Sequence, residues 1–273
     1  MNILIGLDSE KYTHSPVIIG KIIAEATQAE VTVLIIITRE GHLENAEAVA
    51  EQAKKDLEGV NPEIIIRSGQ LSDLYEQEIL SQDYRLVIVD AARKRLTRKY
   101  DDIDPVLTSQ SSFAILLTEN AKPKLDRILL ASSCKEDDFS LVRKAANFAG
   151  RVGATVTLLH VISGAVPTMY TGLNQLDETV EELLQTDTPF AKHLRHAGEI
   201  LQEHEVNSEV KIRRGVPVEE IVRETQLENY DLVIIGTSQV KEGLKARMLG
   251  NLVVKIIDLV ELPVMVIGHQ SLL

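Results

Sequence analysis

The chain has 273 residues, a formal net charge of −12 at pH 7, 44% hydrophobic residues and 26% charged residues. This composition is typical of a globular protein, and the acidic balance argues against nucleic-acid and anionic membrane partners, which require basic faces. The longest apolar runs, such as Val33–Ile37, are far too short to span a bilayer. The single cysteine, Cys134, cannot form an internal disulfide, and the N-terminus shows no signal-peptide pattern. We therefore expect a soluble, cytoplasmic protein without membrane insertion.

Strands and helices alternate along the first part of the chain. Short apolar runs such as Ile3–Leu7 predict strands that are buried on both faces, as in a parallel sheet. Apolar residues at helical spacing, such as Ile18, Ile19 and Ile22, predict helices with one buried face. In chain order the predicted elements are strand Ile3–Leu7, helix Ser15–Gln28, strand Val31–Ile37, helix Glu44–Leu57, strand Glu63–Arg67, helix Leu71–Leu80, strand Leu86–Val89, a loop with a last helix, and strand Phe113–Leu117.

The same elements recur in the same order in the second half. Ile3 corresponds to Ile128 at an offset of 125, and Arg67 corresponds to Arg213 at an offset of 146. One insertion, Ile162–Thr188, explains the change of offset. We therefore predict two copies of one domain, residues 1–122 (the first copy) and 126–270 (the second copy). The second copy's elements are strand Ile128–Ala131, helix Asp138–Val152, strand Thr155–Val161, helix Phe190–Glu203, strand Glu209–Arg213, helix Val218–Thr225, strand Leu232–Ile235, helix Leu252–Leu259 and strand Pro263–Ile267.

This alternation predicts an α/β fold in which each copy is a doubly wound, five-stranded parallel sheet. Right-handed crossovers place helices on both faces, and the expected strand order is 3-2-1-4-5. Strands 1 and 4 flank the point at which the strand order reverses. A ligand should bind at their carboxyl ends, so the loops that follow these two strands are the ones to search.

The loop after strand 4 of the second copy could bind phosphate. Gly236 leaves the strand and Gly250 precedes the predicted helix Leu252–Leu259. Glycines let backbone amides approach a ligand closely, and a helix N-terminus favours an anion. The alternative is that both glycines are ordinary turn and cap residues.

The chain as a whole resembles the universal stress protein family in a tandem, two-domain form. The motifs that carry the resemblance are the opening Ile3–Ser9 run, Leu158–Val161, Arg214–Pro217, the Asp231–Gly236 strand and the closing Leu262–Val266 run. ATP-binding members carry Gly, two residues, Gly, nine residues, then Gly with Ser or Thr, and an Asp after strand 1. The resemblance thus implies ATP, with Mg²⁺ if bound, at a site formed by Ser132, Ser133, Ile235, Gly236, Thr237, Ser238, Gln239, Gly250, Asn251 and Leu252.

The second copy departs from this pattern at four points. Gln239 stands at the second glycine position, and ten residues rather than nine separate it from Gly250. Asn251 replaces the Ser or Thr, where it could cap the helix and donate its amide to a phosphate. Ser133 replaces the Asp. These differences leave nucleotide binding and loss of the ligand both open.

The first copy shows the opposite defect. Asp8 is in place, but the strand-4 loop, Asp90–Asp102, contains no glycine. Its basic cluster could bind phosphate through side chains, yet a solvated, self-paired loop accounts for it as well. We expect that the first copy does not bind a nucleotide by the family's route.

Three further features have two readings each. The insertion Ile162–Thr188, with a helical stretch Asp177–Leu184, could be a lid or an ordinary surface excursion. His193, His196 and His204 could bind a metal, but the alternative that they are surface residues of an amphipathic helix is favoured. Cys134 is expected to be structural rather than reactive.

The resulting prediction is a stress-response or signalling protein that acts by binding, with ATP as the candidate ligand of the second copy. The alternative is an interaction or regulatory module, for example of a transporter, that has lost its ligand. No enzyme is expected, because the loops after strand 1 lack adenylylation motifs and no Gly-x-Ser-x-Gly elbow is present. The resemblance implies that the two copies pair through their fifth strands, Phe113–Leu117 and Pro263–Ile267. Protein partners and a further homodimer stay open.

Overall fold

The computed structural model describes residues 1–37, 43–90, 112–118, 121–135, 138–163, 179–237, 244–268 and 270–273, with the side chains of 71, 72 and 244–251 excepted. Within these residues the strands are β1 Asn2–Asp8, β2 Glu30–Ile37, β3 Glu63–Ser68, β4 Leu86–Asp90, β5 Ala114–Thr118, β6 Arg127–Ser132, β7 Thr155–Ile162, β8 Ser208–Arg214, β9 Leu232–Gly236 and β10 Val264–Ile267. The helices are α1 His14–Thr27, α2 Leu43–Asp56, α3 Leu71–Ser81, α4 Asp138–Val152, α5 Val180–Leu184, α6 Pro189–Glu203, α7 Pro217–Leu227 and α8 Leu244–Leu259.

The ten strands form one continuous sheet in the order β3-β2-β1-β4-β5-β10-β9-β6-β7-β8. Read from its outer edge, each half has the predicted order 3-2-1-4-5, and all pairs within a half are parallel. The fifth strands meet as the resemblance implied: β5 and β10 are antiparallel, with Leu116 opposite Met265. Because each strand pairs with the other, two edges that would attract foreign strands are removed. The exact boundary between the copies stays a prediction.

Helices cover both faces of the sheet. On one face α1, α2, α4 and α6 bury an aliphatic core against alternate strand residues such as Ile3 and Ile5. On the other face α3, α7 and α8 pack against the intervening residues, such as Leu4 and Val233. The strand residues of both clusters are buried because the sheet is covered on both sides, which explains the continuous apolar runs in the sequence.

A buried glutamate network occurs at the same place in both copies. In each, a tyrosine hydroxyl donates to a glutamate at 2.8 Å, and an arginine pairs with the same carboxylate. In the second copy burial alone would raise the pKa of the glutamate, but the hydrogen bonds from Lys211, the arginine and the tyrosine outweigh burial and hold that pKa below its ordinary value. The members are Arg67, Glu78 and Tyr84 in the first copy and Arg213, Glu224 and Tyr230 in the second.

Helix α8 corrects one sequence prediction. It begins at Leu244 rather than Leu252, so Gly250 and Asn251 lie inside the helix, more than one turn past its start. The interpretation of Gly250 as a helix start and of Asn251 as a cap was therefore wrong. The residues Leu244–Leu249 are strong helix formers, whereas one glycine inside a helix costs only about 1 kcal/mol.

The segment after β7 is described only in part. Residues 164–178 lie outside the described residues, so the lid interpretation of the insertion is not tested. Of the predicted helical stretch, Val180–Leu184 is helical, and it begins with a capping box between Thr179 and Glu182.

The surface prediction for His193 was wrong. The side chain is buried on α6, and its ring stacks on Phe139 at a centroid distance of 4.1 Å. His196, by contrast, is exposed and pairs with Glu199. The helical spacing showed that His193 and His196 are neighbours, and Phe139 on the facing helix contacts both rings, but of these two histidines only His193 is buried.

Candidate functional site

A cavity of about 310 Å³ lies at the carboxyl ends of β6 and β9, where the second copy's strand order reverses. We call it the second-copy cavity. It is the place at which the fold predicts a ligand. Six of the ten predicted site residues line it: Ser132, Ser133, Ile235, Gly236, Thr237 and Leu252. Ser238 and Gln239 lie outside the described residues, and only the main-chain position of Gly250 and Asn251 within α8 is described.

The walls of the second-copy cavity are mostly apolar. Leu141 of α4 closes one side, and Ile221 of α7 and Ile256 of α8 close the other. Leu159 of β7 forms part of the wall as well. Apolar walls with a few polar groups are the usual composition of a small-molecule site, and the volume lies at the lower end of the usual range of roughly 300–1,000 Å³.

The loop after β6 is held by a carboxylate that sequence reasoning missed. Asp138, at the start of α4, accepts hydrogen bonds from the Ser132 hydroxyl at 2.6 Å, the Ser133 amide at 2.7 Å and the Cys134 amide at 3.1 Å. Asp138 is itself buried and lines the second-copy cavity. The second copy therefore has a carboxylate near the position of the missing aspartate, but that carboxylate binds its own loop.

His193 lies close to Asp138, the residue that holds this loop. Its Nε2 lies 4.0 Å from Asp138 Oδ2. The Cys134 thiol, in contrast, is half-buried within the loop, and burial, together with the charge of Asp138, raises its pKa to about 12 despite the hydrogen bond with Ser132. Its high pKa supports the expectation that Cys134 is structural.

Two polar side chains in the lining of the cavity are candidates for ligand contact. The Thr237 hydroxyl is buried and has no hydrogen-bond partner among the described residues, although Thr237 lines the cavity. Lys144 also lines the cavity, and its ammonium donates to the carbonyl oxygen of Gly268 at 3.0 Å. Burial lowers the pKa of Lys144 below its ordinary value. A buried hydroxyl without a partner is costly, and a ligand atom in the cavity could satisfy it.

Gly236 lies in close contact with helix α4. A methyl group added to it would lie 3.0 Å from Cδ2 of Leu141, so the glycine allows α4 to approach the end of β9 closely. Sequence reasoning offered phosphate contact or an ordinary turn as the reason for Gly236. The close packing of α4 against the end of β9 is a further reason for a small residue at this position.

Among the described residues of the first copy, Tyr75 occupies part of the corresponding space. Tyr75 of α3 takes the place of Ile221, and its hydroxyl oxygen lies only 1.6 Å from where a Cβ on Gly6 would be. Ala131 is the second-copy equivalent of Gly6 and lines the open cavity. Burial and then the charges of Asp8 and Asp90 raise the pKa of Tyr75. The expectation that the first copy does not bind nucleotide stays a prediction, and Tyr75 gives it a physical basis.

Sequence comparison of the two copies contained a signal for these residues. The offset of 146 pairs Tyr75 with Ile221, and the offset of 125 pairs Ile19 with Lys144. Ile19 is fully buried, so a lysine at the equivalent position interrupts an apolar helix face. Such exchanges between copies could have marked the residues that distinguish the two sites.

Among the described residues, no helix is long and apolar enough to cross a membrane. The part of the chain that the structure describes also holds no group of three or more His, Cys, Asp or Glu side chains placed to bind a metal ion.

Comparison with solved structures finds the same fold across nearly the whole chain. A proposed universal stress protein from Pseudomonas aeruginosa UCBPP-PA14 is 20% identical, with a TM-score of 0.68, over 97% of this chain and 92% of that chain. A universal stress protein from Archaeoglobus fulgidus DSM 4304 is 15% identical, with a TM-score of 0.60, over 96% and 95%. The cytoplasmic domain of a prokaryotic cation chloride cotransporter is 12% identical, with a TM-score of 0.50, over 100% and 99%.

At these identities the structural similarity shows the fold alone. A comparison with curated protein sequences gives no significant match. The model of the universal stress protein family matches residues 124–268, which is just over half of the chain. The match covers nearly all of the predicted second copy, including every residue that the sequence assigned to the site. The chain therefore belongs to the universal stress protein family.

Proposed function

We propose that the protein is a cytoplasmic stress-response or signalling protein that acts by binding an adenine nucleotide in the second-copy cavity. The observation that carries the proposal is the buried Thr237 hydroxyl, which has no hydrogen-bond partner within the described part of the chain and lies at the rim of an apolar cavity at the carboxyl ends of β6 and β9. Membership of the family supports a nucleotide-type ligand. The apolar walls suit a base and a sugar, while Gly236 and Thr237 suit the polar groups that follow.

ATP with Mg²⁺ is the first ligand to test. Gly236 and Thr237 of the present chain could hold phosphate oxygens, and Mg²⁺ would neutralise phosphate charge when bound. The size of the cavity, about 310 Å³, also makes AMP a candidate, because it lies at the lower end of the range for small-molecule sites. Binding rather than catalysis is proposed. The Ser132 hydroxyl does donate to the Asp138 carboxylate, but that carboxylate also accepts the Ser133 and Cys134 amides and so holds the loop after β6.

The second candidate is a ligand-free interaction or regulatory module, for example of a transporter. One observation favours it: Asp138 already occupies the amides of Ser133 and Cys134. A ligand that needed those two donors would have to displace a buried carboxylate. The two candidates differ in whether the cavity binds any nucleotide.

The test is a calorimetric titration of nucleotide-free protein with Mg-ATP and with AMP. The matched control is the double variant Ala131→Gly/Ile221→Tyr, which copies into the second copy the pair Gly6 and Tyr75 of the first. We expect about one site per chain in the unmodified protein and none in the variant. Unchanged binding by a folded variant would place the ligand elsewhere, and no heat at millimolar ligand would favour the ligand-free module.

A further inference from the structure

We propose that Lys144 anchors the anionic group of the ligand, so that the second-copy cavity selects phosphorylated nucleosides over neutral ones. This inference rests on the proposed function and assigns one residue to its specificity. Lys144 belongs to α4, outside the loops that carry the family's glycine pattern, and no sequence motif pointed to it.

The placement of Lys144 supports the assignment. Its ammonium donates to the carbonyl oxygen of Gly268, the residue after β10, at 3.0 Å. The Thr237 amide donates to the carbonyl oxygen of Ile267, the last residue of β10, at 3.1 Å. Lys144 and Thr237 therefore converge on the same end of β10, and both line the cavity. An anionic group held there would lie next to the end of β9, where Gly236 leaves the strand.

The fold does not need a lysine at this position. The equivalent residue of the first copy, Ile19, is fully buried and fills the same place on α1 with an aliphatic side chain. A partly buried ammonium loses hydration, which the lowered pKa of Lys144 reflects. A residue that costs stability and faces a cavity is a candidate for function rather than packing.

The charges around the cavity fit an anion. Among the described lining residues the charged ones are Lys135, Lys144 and Asp138. Asp138 accepts hydrogen bonds from its own loop, so its carboxylate already has partners. Two lysines and one aspartate give the lining a positive balance in a chain whose net charge is −12. A lysine is a point charge that binds phosphate without requiring the close backbone approach of a glycine-rich loop.

The test compares adenosine, AMP and inorganic pyrophosphate as ligands of the unmodified protein, Lys144→Met and Lys144→Arg. Lys192→Met, at an exposed lysine of α6 that pairs with Asp187, is the matched control. We expect Lys144→Met to weaken AMP by at least about tenfold, as expected for loss of a hydrogen bond to a charged group, and to leave adenosine within about twofold. Lys144→Arg should retain most of the AMP affinity, and Lys192→Met all of it.

The outcomes separate this inference from the proposed function. If AMP binds and Lys144→Met weakens AMP and adenosine equally or not at all, the inference is overturned and the proposed function stands. If no adenine compound binds but pyrophosphate binds through Lys144, the role of Lys144 as the anion anchor stands, whereas the selection among nucleosides and the proposed function both fall. If nothing binds to the unmodified protein, both are overturned. Should Lys144→Met fail to fold, Lys144→Gln takes its place in the same comparison of AMP with adenosine.

Discussion

Replacing Gly6 with alanine should destabilise the first copy, because Tyr75 already occupies the space that the new methyl group needs. The added Cβ would lie 1.6 Å from the Tyr75 hydroxyl oxygen, 2.5 Å from Cζ and 2.8 Å from Cε1. No adjustment of a few tenths of an ångström relieves such overlaps, so the ring must leave its site. Overpacking of this kind costs about 1–3 kcal/mol.

The same substitution should be harmless once the ring is gone. Combined with Tyr75→Ile, Gly6→Ala gives the first copy the same residue types as the pair Ala131 and Ile221 of the second copy, which line an open cavity. Alanine then replaces a glycine inside β1, which favours the folded state by about 0.5–1 kcal/mol. The difference between the two backgrounds gives a coupling energy of about 1.5 kcal/mol or more, the size seen for residues in direct contact.

The assay is urea denaturation of four proteins, namely the unmodified protein, Gly6→Ala, Tyr75→Ile and the double variant, followed by far-UV circular dichroism. If unfolding has two steps, the first is fitted separately. Gly198→Ala is the control, since a methyl group there meets nothing within 4 Å. It should stabilise α6 by up to about 1 kcal/mol in both backgrounds, with no coupling to Tyr75. An equal cost of Gly6→Ala with and without Tyr75 would refute the reasoning that the ring fills this space.

Three further predictions concern the core and the thiol. Glu224→Gln should lower the free energy of unfolding by about 2–4 kcal/mol. This loss should be complete above the ordinary carboxyl pKa and should vanish as the pH falls through the lowered pKa of Glu224. Urea denaturation of both proteins from pH 7 to pH 3 measures it. Cys134, with a pKa of about 12, should react with a disulfide reagent at pH 8 far more slowly in the folded protein than in urea, and equal rates would contradict its burial. Leu116→Asp should place a carboxylate opposite Met265 in the buried β5–β10 pair and lower the free energy of unfolding by more than about 4 kcal/mol, as measured by thermal unfolding. The control Leu43→Asp, at a side chain that is 57% exposed, should change the stability little.

The internal repeat made most of the fold predictable. Each half of a parallel sheet covered on both faces produces continuous apolar runs, and helices produce a 3.6-residue period, so the described elements agree with the predicted ones to within a residue or two at most ends. The start of α8 is the exception, because a glycine and an asparagine read as a boundary while the helix formers before them continue the helix.

The candidate site was predictable in location but not in chemistry. The strand order that the alternation of elements predicts places a site at the ends of β6 and β9, and six predicted residues line the cavity found there. The contribution of Lys144 and Tyr75 could not be read from one motif, because each lies on a helix whose distance along the chain from these loops says nothing of its distance in space. Asp138 closely follows the loop after β6, but the sequence does not show that its carboxylate accepts the amides of that loop.

By itself, then, the sequence determined the duplicated α/β architecture, the strand order of each half and the end of the sheet at which a ligand would bind, because these depend on local periodicity and on the connection rules of parallel sheets. Only the tertiary structure decided that the second copy has a cavity over Ala131 where the first copy has the Tyr75 ring against Gly6. That difference depends on which side chain of a packed helix reaches the switch point: Ile221 leaves a cavity over Ala131, whereas Tyr75 extends its ring to Gly6 and occupies part of the equivalent volume.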